Sequence, residues 1–157
     1  MRGNTSKINL EQLQSLVHTG AGYDVLRYYI LPDLLGKEAP FLLYYMGKNL
    51  ARNSNMEKLE EITEYFQQFG WGTLSVVQEK KKETLFELSG HVLEKRIQHP
   101  LLEVDFKMEA GFLAEAMKML KDVNGEGFEE VDKKKNLVTF KVIHISNVPE
   151  VVVAMPK

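Results

Sequence analysis

The residues of this chain whose types could do chemistry are few and scattered. Cysteine is absent from the 157 residues, so the sequence offers no thiolate nucleophile, no thiolate metal ligand, no disulfide and no thioester-linked lipid. The four histidines, His18, His91, His99 and His144, fall on different predicted elements. Only His91 and Glu94 share a helical face, and one such pair supplies too few ligands for a closed metal site. A histidine-ligated haem needs a single protein ligand, so spacing alone leaves it open. Gly70-Trp71-Gly72 and Gly125-Glu126-Gly127 resemble phosphate loops only superficially. A dinucleotide loop follows a strand and opens a helix, whereas here a predicted helix comes first, so both pairs read as helix stop and strand entry. There is no nucleophile elbow, no zinc-protease helix motif and no glycine-rich loop ending in Lys-Ser or Lys-Thr. Glu109 and Glu115 are candidate general bases without a recognisable partner group. The expectation is a non-enzymatic chain with neither metal nor cofactor.

The elements that position these residues follow from periodicity. Ile8, Leu10, Leu13, Leu16 and Val17 predict a first helix, ended by Gly20 and Gly22. A second is expected from about Tyr23 to Leu31, where Pro32 disfavours helical geometry at the preceding residue, with Asp33 to Gly36 a short continuation or a turn. After Pro40, Phe41 to Arg52 is apolar around nearly its whole circumference and wants partners on more than one side. In that helix Gly47 and Ala51, four apart, would admit a closely approaching helix within or between subunits. Asn55 is the expected cap of a fourth helix reaching Phe69, with Leu59, Ile62, Phe66 and Phe69 as its stripe. Thr73 to Gln78 and Thr84 to Leu88 then predict a hairpin, Gly90 to Gln98 a short helix and Leu101 to Phe106 an extended link. Met108 to about Val123 reads as a helix, and Phe128 to Asp132 with Leu137 to Ile145 as a second hairpin.

The second two-thirds of the chain echoes itself. Gly70-x-Gly72, Val77, Lys80-Lys81-Lys82 and Phe86 recur as Gly125-x-Gly127, Val131, Lys133-Lys134-Lys135 and Phe140, offset by 53 to 55 residues. Two helix-plus-hairpin units are implied, whose hairpins would join into one four-stranded antiparallel sheet with one apolar face covered by helices. The expected fold is therefore α+β, two-layer, a single domain over 1–157 with flexible tails at 1–6 and 147–157. If the hairpins pair, the two lysine runs are expected near one another, although lysine at hairpin tips is also the ordinary device that keeps a sheet soluble.

Charge narrows the partners. Twenty Lys plus Arg against 22 Asp plus Glu leave a formal charge of −2, which speaks against a basic nucleic-acid binder. The polar start lacks the apolar core of a secretory signal. The longest uncharged apolar stretch, Ala39 to Gly47, is less than half of the roughly 20 residues a spanning helix needs. The expectation is a cytoplasmic protein without a transmembrane segment.

Several segments in fixed order carry a resemblance: Tyr23-Asp24-Val25-Leu26-Arg27, Leu31-Pro32-Asp33-Leu34-Leu35-Gly36, Gly47-Lys48-Asn49-Leu50-Ala51-Arg52, Gly70-Trp71-Gly72-Thr73-Leu74 and Glu109-Ala110-Gly111-Phe112-Leu113-Ala114-Glu115. Over about residues 20 to 145 the chain resembles the small bacterial proteins typified by YslB. It resembles more distantly the 4-vinyl reductase domain and the Bet-three-type subunits of the TRAPP vesicle-tethering complex. The resemblance implies a helical layer on an antiparallel sheet, a small-molecule or acyl-chain pocket between them, and homodimerisation through the N-terminal helices. Combined with aromatic placement, it points to noncovalent binding of an apolar or amphipathic molecule by Tyr29, Tyr45, Trp71, Phe112 and Met117. The alternative is a protein-interaction or assembly module with a solid core and no ligand.

Overall fold

The computed structural model describes residues 10–11 and 20–145. Of the helix expected over Ile8 to Val17, only Leu10 and Glu11 fall within that range, and both are helical. The rest of it, His18 and the two tails lie outside the described residues.

Local chemistry sets the helical half. Helix α1 (Ala21–Val25), a π turn (Leu26–Ile30) and α2 (Leu31–Leu35) form one uninterrupted helical run, so the segment after Pro32 is the continuation rather than the turn, and the break expected at Leu31 is absent. Proline removes an N–H and its ring crowds the carbonyl four residues back. Here the turn before it is widened, with Leu31 N–H donating to Leu26 O five residues back, and the run passes through. It stops at Gly36, whose φ of 66° and ψ of −146° suit glycine alone. A 3₁₀ turn (Gly36–Glu38) leads into α3 (Ala39–Arg52), with Pro40 in its first turn as expected.

Helix α4 (Leu59–Gln68) begins four residues after the expected cap at Asn55. The Glu61 carboxylate accepts from the backbone N–H groups of Lys58 at 3.0 Å and Glu57 at 2.6 Å, which satisfies donors at the helix start and fixes it there. Its far end closes in a Schellman turn: Gly70, at φ 71°, donates to Gln67 O at 3.0 Å and Trp71 N–H reaches Phe66 O at 2.9 Å.

Strands β1 (Thr73–Glu79) and β2 (Glu83–Ser89) form the first hairpin, followed by α5 (His91–Gln98), α6 (Lys107–Lys121), β3 (Asn124–Asp132) and β4 (Leu137–Ile145). The four strands make one antiparallel sheet in the order β1-β2-β4-β3. Phe86 and Phe140, equivalent in the sequence echo, sit directly opposite one another where β2 meets β4. The two hairpins are therefore related by a local two-fold axis through that pair. Because like strands meet head to tail, the lysine tips lie at opposite ends of the sheet rather than together: the Lys80 to Lys82 tip adjoins His144, whose N–H donates to Lys82 O, and the other adjoins α5, where Gln98 Nε2 donates to Lys133 O.

One face of the sheet, with Leu74, Phe86, Leu88, Val138, Phe140 and Val142, packs under α4 and α6 and is buried. Helix α6 is the core helix, with every residue from Glu109 to Met117 buried. The space for it is made by glycine. A Cβ at Gly127 would lie 2.4 Å from Ala110 O, at Gly111 2.0 Å from Tyr44 O, and at Gly47 1.9 Å from Met108 O. Gly125 and Gly127 thus lie within β3, where Gly127 lets the core helix touch the strand, and are not its entry. The helix before them stops instead at Asp122, in the left-handed region at φ 52°. The small face of α3 is used inside the chain, against α6.

Candidate ligand site

The Schellman turn sets the central residue of the site. It folds Trp71 back on Phe66, with ring centroids 4.9 Å apart and edge to face, the contact that such a turn favours. Phe69 at 4.8 Å and Phe112 at 5.5 Å complete an aromatic cluster around the indole. Phe112 also meets Phe66 and Tyr65, and Met117 is buried in the same core.

The indole's other side is polar. Trp71 Nε1 donates to the Tyr23 hydroxyl at 2.9 Å, and Trp71 O accepts from Arg96 at 3.2 Å. Arg96 Nε also donates to Asp24 at 2.6 Å. One helical turn on, Arg27 donates to the Asp105 carboxylate and carbonyl, each at 3.3 Å, and to Glu109 at 3.2 Å. Arg27 and Glu109 are each only 1 % exposed. The Arg27 Nε and the neighbouring Tyr28 hydroxyl are buried with no hydrogen-bond partner among the described residues.

Burial dominates the protonation behaviour of this cluster. It pushes the Tyr23 hydroxyl up to about 12, reinforced by the Glu109 charge, and lifts Tyr28 well above its ordinary value for the same two reasons. Burial also raises the Glu109 carboxyl, with Arg27 pulling the other way. For Arg27 the balance reverses: burial opposes its charge, but Glu109 and Asp105 outweigh it and hold the guanidinium protonated.

Of the residues expected to line a pocket, Trp71, Phe112 and Met117 come together in one buried core. Tyr29 and Tyr45 are apart from them and solvent-facing, at 57 % and 47 % exposed. The buried stripe of α3 is Ala39, Leu43, Gly47 and Ala51, which turns Tyr45 outward with Phe41 and Met46. Glu109 and Glu115 separate likewise, Glu109 with Arg27 and Glu115 with Arg52 at 3.1 Å. His91 and Glu94 are both exposed, and no group of residues able to hold a metal ion occurs among those described.

A cleft of about 400 Å3 lies apart from this cluster, between α3 and β3, lined by Pro40, Phe41, Tyr44, Lys107, Glu126, Gly127 and Phe128. Within it the Tyr44 hydroxyl donates to Glu126 and accepts from Gly127 N–H at 3.0 Å. Burial, and then the Glu126 carboxylate, raise that hydroxyl well above its ordinary value.

Sequence reasoning missed Arg27, Asp24 and Arg96 as partners. One signal was there: Arg96 shares with Leu93 and Ile97 the buried face of α5, an unusual place for a cation. Three of the segments that carry the family resemblance meet here, Tyr23 to Arg27 with Trp71 and with Glu109.

Comparison with known proteins gives the family and the fold. A family described as protein of unknown function, DUF2507, matches residues 20–143. The uncharacterised protein YslB of Bacillus subtilis is 36 % identical over 134 residues, covering 85 % of this chain and 90 % of that protein. An uncharacterised protein of Methanocaldococcus jannaschii is 27 % identical over 59 % of this chain and 55 % of its own length. Among solved structures, a vinyl-4-reductase family protein from M. jannaschii superposes with a TM-score of 0.65 at 18 % identity, over 87 % of this chain and 88 % of that one. The phenol-responsive sensory domain of the transcription activator PoxR, solved with phenol, superposes with a TM-score of 0.58 at 16 % identity, over 82 % and 75 %. These two likenesses show a shared α+β fold.

Proposed function

We propose, from the premise that the chain belongs to the DUF2507 family, that it binds a small apolar or amphipathic molecule noncovalently and without turning it over. The observation that carries this reading is the double nature of Trp71. Its ring stands in the aromatic cluster with Phe66, Phe69 and Phe112, while its Nε1 donates to the Tyr23 hydroxyl, which feels the charges of the neighbouring Arg27 and Glu109 pair. An apolar wall ending in a few convergent polar groups is the ordinary make-up of a small-molecule site. The likeness to a sensory domain solved with phenol supports the same class of ligand. In this reading Phe112 and Met117 form the apolar wall, and Tyr29 and Tyr45 belong to the outer face.

Trp71 is the only tryptophan, so its fluorescence reports on the site directly. Titration of the full chain with phenol is expected to shift and saturate the emission, and native mass spectrometry of freshly purified protein to show a discrete bound mass released into an organic extract. A linear, unsaturable response together with a clean apo mass overturns the reading. Consumption of a vinylphenol by the protein would replace it with an enzymatic one.

A second reading, assembly into a homodimer, is favoured by the exposed apolar residues of the N-terminal helices: Leu26, Tyr29, Ile30 and Leu34 on the first run and Phe41, Tyr45 and Met46 on α3. The two readings are compatible, since the site faces inward and these residues outward.

A further inference from the structure

Nearly all buried polar groups of folded proteins have a hydrogen-bond partner. Arg27 Nε and the Tyr28 hydroxyl do not have one among the described residues, and they belong to consecutive residues of the π turn, a distortion that concentrates at functional sites. An arginine Nε–H only donates, while a tyrosine hydroxyl donates or accepts. An acceptor such as an oxygen satisfies either, and the two side chains lie together, the Arg27 guanidinium carbon 5.0 Å from the centre of the Tyr28 ring. The cluster around them also has no positive charge to spare. Its cations are Arg27 and Arg96, and its acids are Asp24, Asp105 and Glu109, with Arg27 engaged by Asp105 and Glu109 and Arg96 by Asp24. An ionised head group placed there would face the buried Glu109 carboxylate, where like charges repel strongly, with the part-exposed Asp105 carboxylate beyond it.

We infer that Arg27 Nε and the Tyr28 hydroxyl form a head-group subsite that takes an uncharged oxygen, a hydroxyl or carbonyl, on an otherwise apolar ligand and turns away a carboxylate of the same shape. This rests on the small-ligand reading above and adds to it the charge class of the ligand. Selection comes from what the subsite lacks as much as from what it offers.

The test uses toluene, benzyl alcohol and benzoate at pH 8, each titrated into the full chain and followed by Trp71 fluorescence. Benzyl alcohol is expected to bind at least about tenfold more tightly than benzoate and several-fold more tightly than toluene. Tyr28→Phe is expected to weaken benzyl alcohol by about 5- to 30-fold, the size of one lost hydrogen bond, and to leave toluene within about twofold. Benzoate binding as well as benzyl alcohol, or an unchanged ratio of benzyl alcohol to toluene in Tyr28→Phe, overturns the subsite while the pocket stands. No saturable binding of any of the three removes the pocket and the subsite together, with ordered water then meeting the two atoms. If Tyr28→Phe loses its native circular dichroism, the ratio of benzyl alcohol to benzoate in the unaltered chain decides the matter.

Discussion

Arg27 and Glu109 show how much one buried pair can decide. Neither has water to fall back on, but Arg27 keeps Asp105 as a second carboxylate partner when Glu109 is removed. Glu109→Leu is therefore expected to cost about 1–3 kcal/mol in urea unfolding, and the double variant Arg27→Met with Glu109→Leu distinctly less than the sum of the single changes. The pH dependence has a definite sign. Because burial raises the folded-state value of Glu109, the proton favours the fold. That contribution is complete below the unfolded value and is lost as pH rises through the folded one. Unfolding midpoints measured from pH 4 upward should therefore move in favour of Glu109→Gln relative to the unaltered chain; a constant difference would contradict the raised value. At this scale the site was half legible. Trp71, Phe112 and Met117 are apolar residues at helix or turn positions, and hydrophobicity alone brings them inward. Arg27 was not legible, because a charge on a helix reads as solvent-facing unless its partner, here 78 residues away in sequence, is known; Arg96 was marked only by sharing a helical face with Leu93 and Ile97, with its partner 72 residues away.

At the scale of elements, the crossing of α3 and α6 is fixed by glycine more than by side-chain interlocking. Gly47→Ala and Gly111→Ala each force a methyl group onto a backbone carbonyl of the other helix and are expected to destabilise the chain by about 1–3 kcal/mol or more. Gly22→Ala, where nothing lies within 4 Å, should instead stabilise by about 0.5–1 kcal/mol through helix propensity. Thermal unfolding of the three variants checks the contrast, and equal effects would show the crossing to be looser than described. Helix and strand periodicity found these elements, because alternation and a 3.6-residue stripe are properties of neighbours in sequence. The continuation past Pro32 was left open, and the start of α4 at Leu59 and the place of Gly125 and Gly127 were misread, for a common reason. Each depends on backbone hydrogen bonds or on a carbonyl from another element, which local pattern does not contain.

For the whole molecule, the outward residues of α3 matter most. Phe41→Glu combined with Tyr45→Glu changes two exposed side chains and should leave the monomer's unfolding midpoint nearly unchanged. If the outer helical face pairs two copies, sedimentation of this variant should show a monomer where the unaltered chain sediments as a dimer. A dimer that persists in the variant would move the interface elsewhere. The α+β class and the four-stranded sheet were readable from the echo of helix and hairpin, but the strand order was needed to place the lysine tips at opposite ends. The Phe86 to Phe140 pair has a consequence for assembly as well. A contact between two like strands about a two-fold axis is the kind that separate subunits make with one another, so the sheet is built as a tethered dimer of hairpins. What holds the halves of one chain together is equally available between chains. At high concentration, or when the link between β2 and α6 is altered, the second hairpin of one copy can close on the first hairpin of another, and the product would keep every native strand pairing while doubling the mass.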